Sequence, residues 1–507
     1  MVHALVPLTA ALLILKIGLA ALFPVFGDES YYLYWGLHPA GGYYDLPPMI
    51  GWWLAPLVSL SLNPLWIRMF NLLATVLPAF TLYEWLHPRV GKDRALGAAA
   101  LFFFLPLPFL SVISFPDVPL MFFSFFSAYL FHRAQESQRP GLPYEGFFSG
   151  VLWGCAFLSK YFAVFLLPVF VGAFVLDRGR RYRNAPAFFF GALPFVFQHL
   201  IWNRDHCWSN FVFNLITRQR VDEGTIDQTL GGFLVNVLVV SAPVLLSAVF
   251  RPIERRELGP VWERERDLGR FFFWLWAFPT LVFLVTAAFG RGQGLHWLLF
   301  LTPFFAAWVA LRFPRGRFRL ALSFSAVASG VLAVSLMLAS VFPDRLLAPL
   351  LKKRWAFEYR VLTRPDDFVD EIRAATPGVA AYFTGGYTLS SELEYLFRKS
   401  GHPTDFLVWG EGSRFGRTFD WALDAGKLRG KRIAIVTPGF FFRENWEHFF
   451  TKMEVSVRNF RGVEYMLIVG EGFRAMDYRE DVLQPAIRKF YPPFLPGRCG
   501  LLEESKP

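Results

Sequence analysis

The chain has 507 residues, of which 54% are hydrophobic and only 18% are charged, whereas a typical soluble domain is about 25% charged. The charges are unevenly distributed: residues 1–342 carry 26 Lys/Arg and 18 Asp/Glu, and residues 343–507 carry 25 and 22. A single soluble enzyme is therefore excluded. The composition predicts a polytopic α-helical membrane domain over residues 1–342 and a water-facing domain over residues 343–507.

The first domain contains a series of apolar stretches. A helix of about 20 apolar residues crosses a bilayer, and this rule predicts about 11 spans. The first stretch has no basic residues ahead of it and is about 23 residues long, so we expect a retained anchor rather than a signal peptide. In chain order the predicted spans are 4–26, 66–86, 95–113, 118–131, 146–158, 162–176, 185–202, 229–250, 271–289, 297–311 and 320–342.

The loops between these spans differ in their content of Lys and Arg, which are enriched on the cytoplasmic side of membrane proteins. One alternate set of loops holds 19 of these residues and the other holds five. The distribution predicts a membrane protein with a cytoplasmic N-terminus. The first outer loop, residues 27–65, and the C-terminal domain would then lie on the outer side. Basic clusters separated by spans cannot form a continuous groove, so nucleic acid is not an expected partner.

The C-terminal domain has the pattern of an α/β fold. Apolar runs predict four strands, and an amphipathic helix is predicted between the first two. Gly385-Gly386 follows the first strand, but no phosphate-loop motif accompanies it, so a plain turn is expected. The predicted strands are 379–384, 405–409, 432–437 and 463–469, and the helix is 389–399.

The three cysteines form no CxxC or zinc pattern. Cys207 and Cys499 could both lie outside and pair, although chance placement is favoured over a disulfide. No HExxH motif is present, and the sequence assigns no cofactor; a divalent cation is left open.

The first outer loop concentrates acidic and aromatic residues. It contains Asp28, Glu29 and Asp45 but no Lys or Arg. Adjacent carboxylates at the end of a span are unfavourable unless they are hydrated, paired or used in chemistry. Tyr and Trp favour the headgroup level, so the loop is expected to lie along the membrane surface. Hydration at the interface is the structural alternative to an active site.

Two further charged residues stand out on the same predicted side. Asp117 lies in a Pro-Asp-x-Pro turn, where it would also serve as a helix cap. Lys160 interrupts a long apolar run and is expected to face an anionic partner, either lipid phosphate or a group in the active site. Outer carboxylates could act as a base and outer cations could hold a phosphate, as group transfer from a phosphate-bearing lipid requires. Other polar candidates in the outer loops are Asn203, His206, Arg291 and His296.

Several motifs occur in a characteristic order. They are the Gly-Tyr-Tyr-Asp-x-Pro-Pro run at 42–48, Pro116-Asp117-Val118-Pro119, the segment 158–161 and the segment 201–203, all after Asp28-Glu29. In the order and spacing of these motifs, the chain resembles the polyprenyl-phosphate-sugar-dependent glycosyltransferases of the GT-C fold. That family includes protein O-mannosyltransferases, the lipid A aminoarabinose transferase and bacterial galacturonosyltransferases. The similarity covers roughly residues 1–300.

The resemblance implies roles for individual residues. Asp28 would be the catalytic acid/base, with Glu29 beside it, and Asp117 would be the second acidic residue of the site. Asp45 would lie near the donor phosphate, next to Tyr44. Leu46 stands where relatives often have His or Lys. Phosphate binding would therefore depend on other cations, and the candidates are Lys160, Arg291 and Arg68, with His296, Asn203 and His206 as further substrate contacts.

The expected function is thus an inverting glycosyltransferase that moves a sugar from a polyprenyl-phosphate donor to a lipid, glycan or protein acceptor. One alternative is a transporter or flippase for lipid-linked sugars; such proteins often contain internal repeats and charged residues near the bilayer midplane. Another is a non-catalytic binding subunit. The sugar, the acceptor and the polyprenol are not specified by the sequence.

Overall fold

The computed structural model describes residues 2–136, 144–176, 184–218, 225–250, 265–346, 353–410, 413–438 and 446–491. The chain divides into two compact units. The first consists of Met1–Leu22, Arg68–His199 and Gln219–Met337, and the second of Phe23–Ile67, Leu200–Arg218 and Leu338–Pro507. The first outer loop and residues 200–218 therefore pack with the C-terminal part of the chain.

The first unit is built from helices, as its apolar sequence predicts. Among the residues that the structure describes, six helices are long and apolar enough to cross a membrane: Leu5–Leu22, Met69–Val90, Asn184–Asp205, Arg266–Ala288, Leu295–Arg312 and Arg315–Val341. All eleven predicted segments coincide with helical structure, but the number of eleven spans is not confirmed. The remaining helices of this region are Lys92–Phe104, Pro106–Leu110, Asp117–Glu136, Tyr144–Ser159, Leu167–Leu176 and Ile226–Phe250, with a 3₁₀ helix at Tyr161–Leu166.

One predicted span, residues 95–113, is interrupted. The helix ends at Phe104, and Leu105 adopts an extended conformation with φ −67° and ψ 143° before a short helix begins at Pro106. A proline disfavours helical geometry in the residue before it and cannot donate a backbone hydrogen bond. The expectation of one continuous span was therefore wrong here.

The second unit contains two helices from the first outer loop, Asp28–Leu37 and Met49–Val58, followed by the short helix Pro64–Ile67. The first two approach closely at Gly36, where an added Cβ would lie 2.9 Å from Leu54 Cβ. The Trp35 and Tyr43 rings stack with centroids 4.2 Å apart.

Four aromatic residues of this loop are buried inside the second unit. Tyr31, Trp35, Tyr43 and Tyr44 are each 5% exposed or less. They form part of the hydrophobic core of the second unit, because their rings pack on one another and on the C-terminal domain. These four rings are thus used for packing inside the second unit, and the position of the loop along the membrane surface stays a prediction.

The C-terminal domain contains a five-stranded mixed sheet, whose strands are β1 (Ala381–Thr384), β2 (Phe406–Val408), β3 (Ile433–Pro438), β4 (Lys452–Phe460) and β5 (Val463–Glu471). Their order in the sheet is β2-β1-β3-β5-β4; β1 pairs in parallel with β2 and β3, whereas β5 pairs antiparallel with β3 and β4. The four predicted strands are confirmed.

Strand β4 was missed because it lies at the edge of the sheet. Its residues are mostly exposed, and even Val455 and Val457 are 45% and 57% exposed. It therefore lacks the apolar run of the buried strands. The other helices of this domain are Lys353–Thr363, Pro365–Ala375, Tyr387–Lys399, Thr418–Ala422, Ala425–Leu428, Ala475–Tyr478 and Gln484–Phe490.

The predicted helix after β1 is confirmed and begins at Tyr387. Gly385-Gly386 form the expected turn between β1 and this helix. All four residues of β1 are buried. The strand and the turn together fix the position of Tyr387 at the start of the helix.

Candidate active site

Asp28 is the first residue of the helix Asp28–Leu37. It follows Gly27, whose φ of 60° is unfavourable for residues with a side chain. The Tyr387 hydroxyl donates a hydrogen bond of 3.1 Å to Asp28 Oδ1. The residue is solvent-exposed, and no second partner contacts its carboxylate among the described residues. One carboxylate oxygen is thus fixed by a phenol and the other is accessible.

The protein environment shifts the pKa of Asp28. Neighbouring atoms displace water from the carboxylate and raise its pKa, whereas the Tyr387 hydrogen bond and the charge of Arg218 act in the opposite direction. Partial desolvation makes a carboxylate a stronger base, and the phenol keeps it in one orientation. Asp28 therefore has the properties of a general base.

Asp45 occupies a more enclosed position in the same unit, with 6% of its surface exposed. The Tyr31 hydroxyl donates a 2.6 Å hydrogen bond to Asp45 Oδ2, and the Gly416 N–H lies 3.2 Å from the same oxygen. Burial raises the pKa of Asp45 to about 7, and the negative charge of Asp28 acts in the same direction. This carboxyl is consequently close to half-protonated at neutral pH.

The two carboxylates are linked through their tyrosines. The Tyr31 and Tyr387 rings have centroids 4.7 Å apart. Thr418 Oγ1 lies 3.2 Å from the Tyr31 hydroxyl and can donate to it, since the phenol proton is used on Asp45. Residues from the first outer loop and from the C-terminal domain thus form one polar network within the second unit.

Two asparagines hold the backbone that carries Asp45. Asn210 Nδ2 donates to the carbonyl of Tyr43 at 2.7 Å, and Asn214 Nδ2 donates to the carbonyl of Asp45 at 2.9 Å. Sequence reasoning missed both residues. The available signal was their spacing of four positions in an otherwise apolar segment, which places two amides on one face of a helix.

The first unit contains a separate ion pair. Lys160 Nζ lies 3.0 and 2.9 Å from the two carboxylate oxygens of Asp117. Asp117 is fully buried and Lys160 is 5% exposed. His296 Nε2 is 3.9 Å from Asp117, and its side chain is about half exposed. The structure therefore brings together three of the predicted site residues.

Local structure explains how this pair forms. Asp117 begins the helix Asp117–Glu136, which confirms that its Pro-Asp-x-Pro turn starts a helix. Lys160 has an extended backbone between the helix Tyr144–Ser159 and a 3₁₀ helix. Its ammonium also lies 5.3 Å from the centre of the Trp297 ring, a cation–π distance. Asp117 is thus the anionic partner expected for Lys160.

The other predicted residues have mainly structural contacts. Tyr44 is fully buried, and its hydroxyl donates to the carbonyl of Phe490 at 3.2 Å. Asn203 Oδ1 accepts the N–H of Phe211, and Asn203 is also fully buried. Glu29 is 1% exposed within its helix.

Two of the three remaining basic candidates have side chains close to a backbone carbonyl. Arg68 is fully buried in the first unit, and its Nη1 donates to the carbonyl of Ala20 at 2.9 Å. His206 Nδ1 lies 2.8 Å from the carbonyl of Trp202, and burial lowers its pKa. The Arg291 side chain is half-buried.

The cysteines and possible metal ligands give two further results. Cys207 forms a disulfide bond, so the expectation against pairing was wrong for this residue. Cys155 is a free thiol, and Cys499 lies outside the described residues. Over the described ranges, no group of three or more His, Cys, Asp or Glu side chains is placed to hold a metal ion.

Parts of the chain are similar to known proteins. Residues 45–202, which include Asp45, Asp117 and Lys160, match the family model described as dolichyl-phosphate-mannose-protein mannosyltransferase. The chain is 26% identical over 345 residues to the lipid A galacturonosyltransferase RgtD of Rhizobium johnstonii, covering 64% of this chain and 68% of that protein.

The fold is also that of a solved structure. The crystal structure of ArnT from Cupriavidus metallidurans aligns with a TM-score of 0.62 and 14% identity, covering 92% of this chain and 98% of that one. The expected fold, a helical membrane protein with a C-terminal α/β domain, is thereby confirmed, as is the expectation of an enzyme. The family model, the relative and the solved structure all support the resemblance of the chain to the polyprenyl-phosphate-sugar-dependent glycosyltransferases of the GT-C fold.

Proposed function

We propose that this protein transfers a sugar, with inversion, from a polyprenyl-phosphate donor to a lipid acceptor at the outer face of the inner membrane. The relative that acts as a lipid A galacturonosyltransferase suggests galacturonic acid and lipid A as the first donor sugar and acceptor to test. The observation that carries the proposal is the state of Asp28: it is exposed, Tyr387 donates to its Oδ1, and no second partner contacts its carboxylate among the described residues.

The proposed reaction transfers one proton to Asp28 and leaves one electron pair on the phosphate. The acceptor hydroxyl oxygen attacks the anomeric carbon, and its proton passes to Asp28. The bond between the anomeric carbon and the phosphate oxygen breaks, and its electron pair stays on the phosphate. Polyprenyl phosphate therefore leaves with one more negative charge than it had in the donor. A base for the hydroxyl and cations for the phosphate both lower the barrier.

Asp117 and Lys160 are suited to stabilising the leaving phosphate. Asp117 contacts Lys160 through both carboxylate oxygens and so fixes the position of the ammonium group. In this proposal, the ammonium group stabilises the charge that builds on the leaving phosphate. It would supply the cation that relatives often carry at the position of Leu46. Arg291 and His296 are the further cationic candidates.

Asp45 is suited to a place near an anionic donor. A permanently charged carboxylate would repel a phosphate. Burial raises the pKa of Asp45 to about 7, so the group can become neutral and donate a hydrogen bond when an anion approaches. This agrees with the position near the donor phosphate that the family resemblance implies.

Two observations support the outer face of the membrane as the place of transfer. Lys and Arg are concentrated in the loops predicted to be cytoplasmic, in a ratio of 19 to five. Cys207 lies in a predicted outer loop and is disulfide-bonded, and disulfides persist in oxidising compartments such as the periplasm. A donor linked to polyprenyl phosphate needs no nucleotide there.

The direct test is Asp28→Asn, which keeps the size of the side chain but removes the base. Membranes containing the variant are supplied with polyprenyl-phosphate-linked galacturonic acid and lipid A, and the product is measured by mass spectrometry. We expect transfer to fall by about 10²-fold or more. Asp370→Asn, at an exposed acid of the C-terminal domain, serves as the matched control and should leave transfer unchanged.

The two parts of the proposal can fail separately. Undiminished transfer by a well-expressed Asp28→Asn variant would rule out the catalytic mechanism. If the wild-type protein does not transfer galacturonic acid but adds a different sugar from a panel of polyprenyl-phosphate donors, the substrate assignment is wrong and the reaction class is retained.

A further inference from the structure

We infer that Tyr387 is a positioning residue for Asp28, so that the C-terminal sheet domain completes the active site. This inference rests on the proposed function, in which Asp28 is the base. The two residues are 359 positions apart in the sequence, yet the phenol of one donates directly to the carboxylate of the other at 3.1 Å.

The two helices that carry these residues are joined along their length. At one end, Tyr387 contacts Asp28, and Ser30 Oγ lies 3.5 Å from the carbonyl of Thr388. At the other end, His38 Nε2 is 2.7 Å from Glu394 Oε1. Polar contacts at both ends fix the register between the helix Asp28–Leu37 and the C-terminal domain.

The Tyr387 ring is also held from its sides. The Tyr31 ring packs against it with a centroid distance of 4.7 Å. On the backbone of Gly416, an added Cβ would lie 2.3 Å from Tyr387 Cβ, and the φ of this glycine is +76°. Gly416 therefore allows its loop to approach Tyr387 closely, while its N–H donates to Asp45. A ring confined in this way presents its hydroxyl in a defined direction.

The hydrogen bond has two consequences for Asp28. It fixes Oδ1, and it leaves Oδ2 accessible for the proton of an acceptor. It also stabilises the charged carboxylate and so lowers the pKa of Asp28 against the effect of desolvation. The charged or titratable groups that act on this site are Tyr387, Arg218 and Asp45.

The test is the pH dependence of transfer by Tyr387→Phe. Without the phenol, the pKa of Asp28 rises, so a larger fraction of the base is protonated at low pH. We expect the acidic limb of the kcat profile to move to higher pH by about 0.5 unit or more. The KM for the donor should change little.

A matched control lies on the same helix. The Tyr395 hydroxyl donates to the carbonyl of Leu62 at 3.1 Å, away from either carboxylate of the site. Tyr395→Phe removes a comparable buried phenol contact from the helix Tyr387–Lys399. It should leave the acidic limb at the wild-type pH even if it lowers the thermal unfolding temperature.

A second substitution covers the case in which Tyr387→Phe folds poorly. A fluorinated tyrosine at position 387 keeps the shape of the side chain, but its more acidic phenol is a stronger donor. The acidic limb should then move to lower pH, opposite to the shift for Tyr387→Phe. A purely structural role for the ring would not produce shifts of opposite sign.

The outcomes separate this inference from the proposed function. If Asp28→Asn is inactive but the limb is unmoved in Tyr387→Phe and in the fluorinated protein, the positioning role is wrong and the reaction mechanism stands. If Asp28→Asn is fully active, the mechanism itself fails. Opposite shifts at position 387, with no shift at position 395, establish the positioning role.

Discussion

Lys160 and Asp117 form an ion pair that is almost completely removed from solvent. Such pairs contribute little net stability, because the attraction between the charges mainly offsets their desolvation. Removing one partner is more damaging, since it leaves an uncompensated buried charge. The pair serves either the chemistry or the charge balance of the fold, and the two roles predict different behaviour in a double variant.

We expect Lys160→Met and Asp117→Leu to destabilise the protein by about 3–5 kcal/mol each. The double variant should recover most of that loss, since neither charge remains, but it should stay inactive in sugar transfer. Thermal unfolding in detergent and the transfer assay measure the two effects. A double variant that is both stable and active would show that the pair has no catalytic role.

Asp45 makes the stability of the second unit depend on pH. Its pKa rises from 3.8 to about 7 on folding, so the folded state binds the proton more tightly than the unfolded state. The stabilising contribution of the protonated form is present in full below the unfolded pKa. It is lost as the pH rises from about 4 through 7, by up to about 4 kcal/mol.

Asp45→Asn removes this titration. We expect the variant to be more stable than the wild type at pH 8 and to show a smaller loss of unfolding temperature between pH 4 and pH 8. Burial also raises the pKa of Asp420, to about 6, so part of the pH dependence should persist in the variant. Identical pH profiles for the two proteins would mean that Asp45 is charged throughout this range.

At the scale of helices and strands, the sequence predicted elements whose local pattern is strong. The strands β1, β2, β3 and β5 are buried apolar runs and were found, whereas the exposed edge strand β4 was not. The break at Leu105 was missed, although Pro106 and Pro108 in the sequence were available signals. The helices of the first outer loop were also missed, because their tyrosines and tryptophans were assigned to the membrane surface.

The candidate site was only partly predictable for a related reason. Asp28, Asp117 and Lys160 stand out because charges are rare in an apolar sequence. The pairing of Asp117 with Lys160 joins two different helices, and neither residue indicates its partner by sequence spacing. Tyr387 is an ordinary residue in an amphipathic helix of the C-terminal domain. Its relevance appears only when folding brings it to Asp28.

For the whole molecule, the sorting of arginines in the first 342 residues remains the main argument for orientation. In the described part of the chain, six candidate spans are identified by length and composition, whereas an odd total of eleven would put the chain ends on opposite sides. Counting helices therefore does not determine the side of the C-terminal domain. The Lys/Arg ratio of 19 to five and the disulfide at Cys207 both favour the periplasm.

Reporter fusions test this orientation. Alkaline phosphatase joined to the C-terminus should be active, because it needs an oxidising compartment to form its disulfides, and a cytoplasm-dependent fluorescent protein at the same place should be dark. The same reporters joined after Val90, within the predicted cytoplasmic loop between spans 66–86 and 95–113, should give the opposite result. A C-terminal fusion that behaves as cytoplasmic would contradict the topology. Since Tyr387 contacts Asp28 within one compact unit, it would also place the proposed base on the cytoplasmic side and so exclude sugar transfer at the outer face.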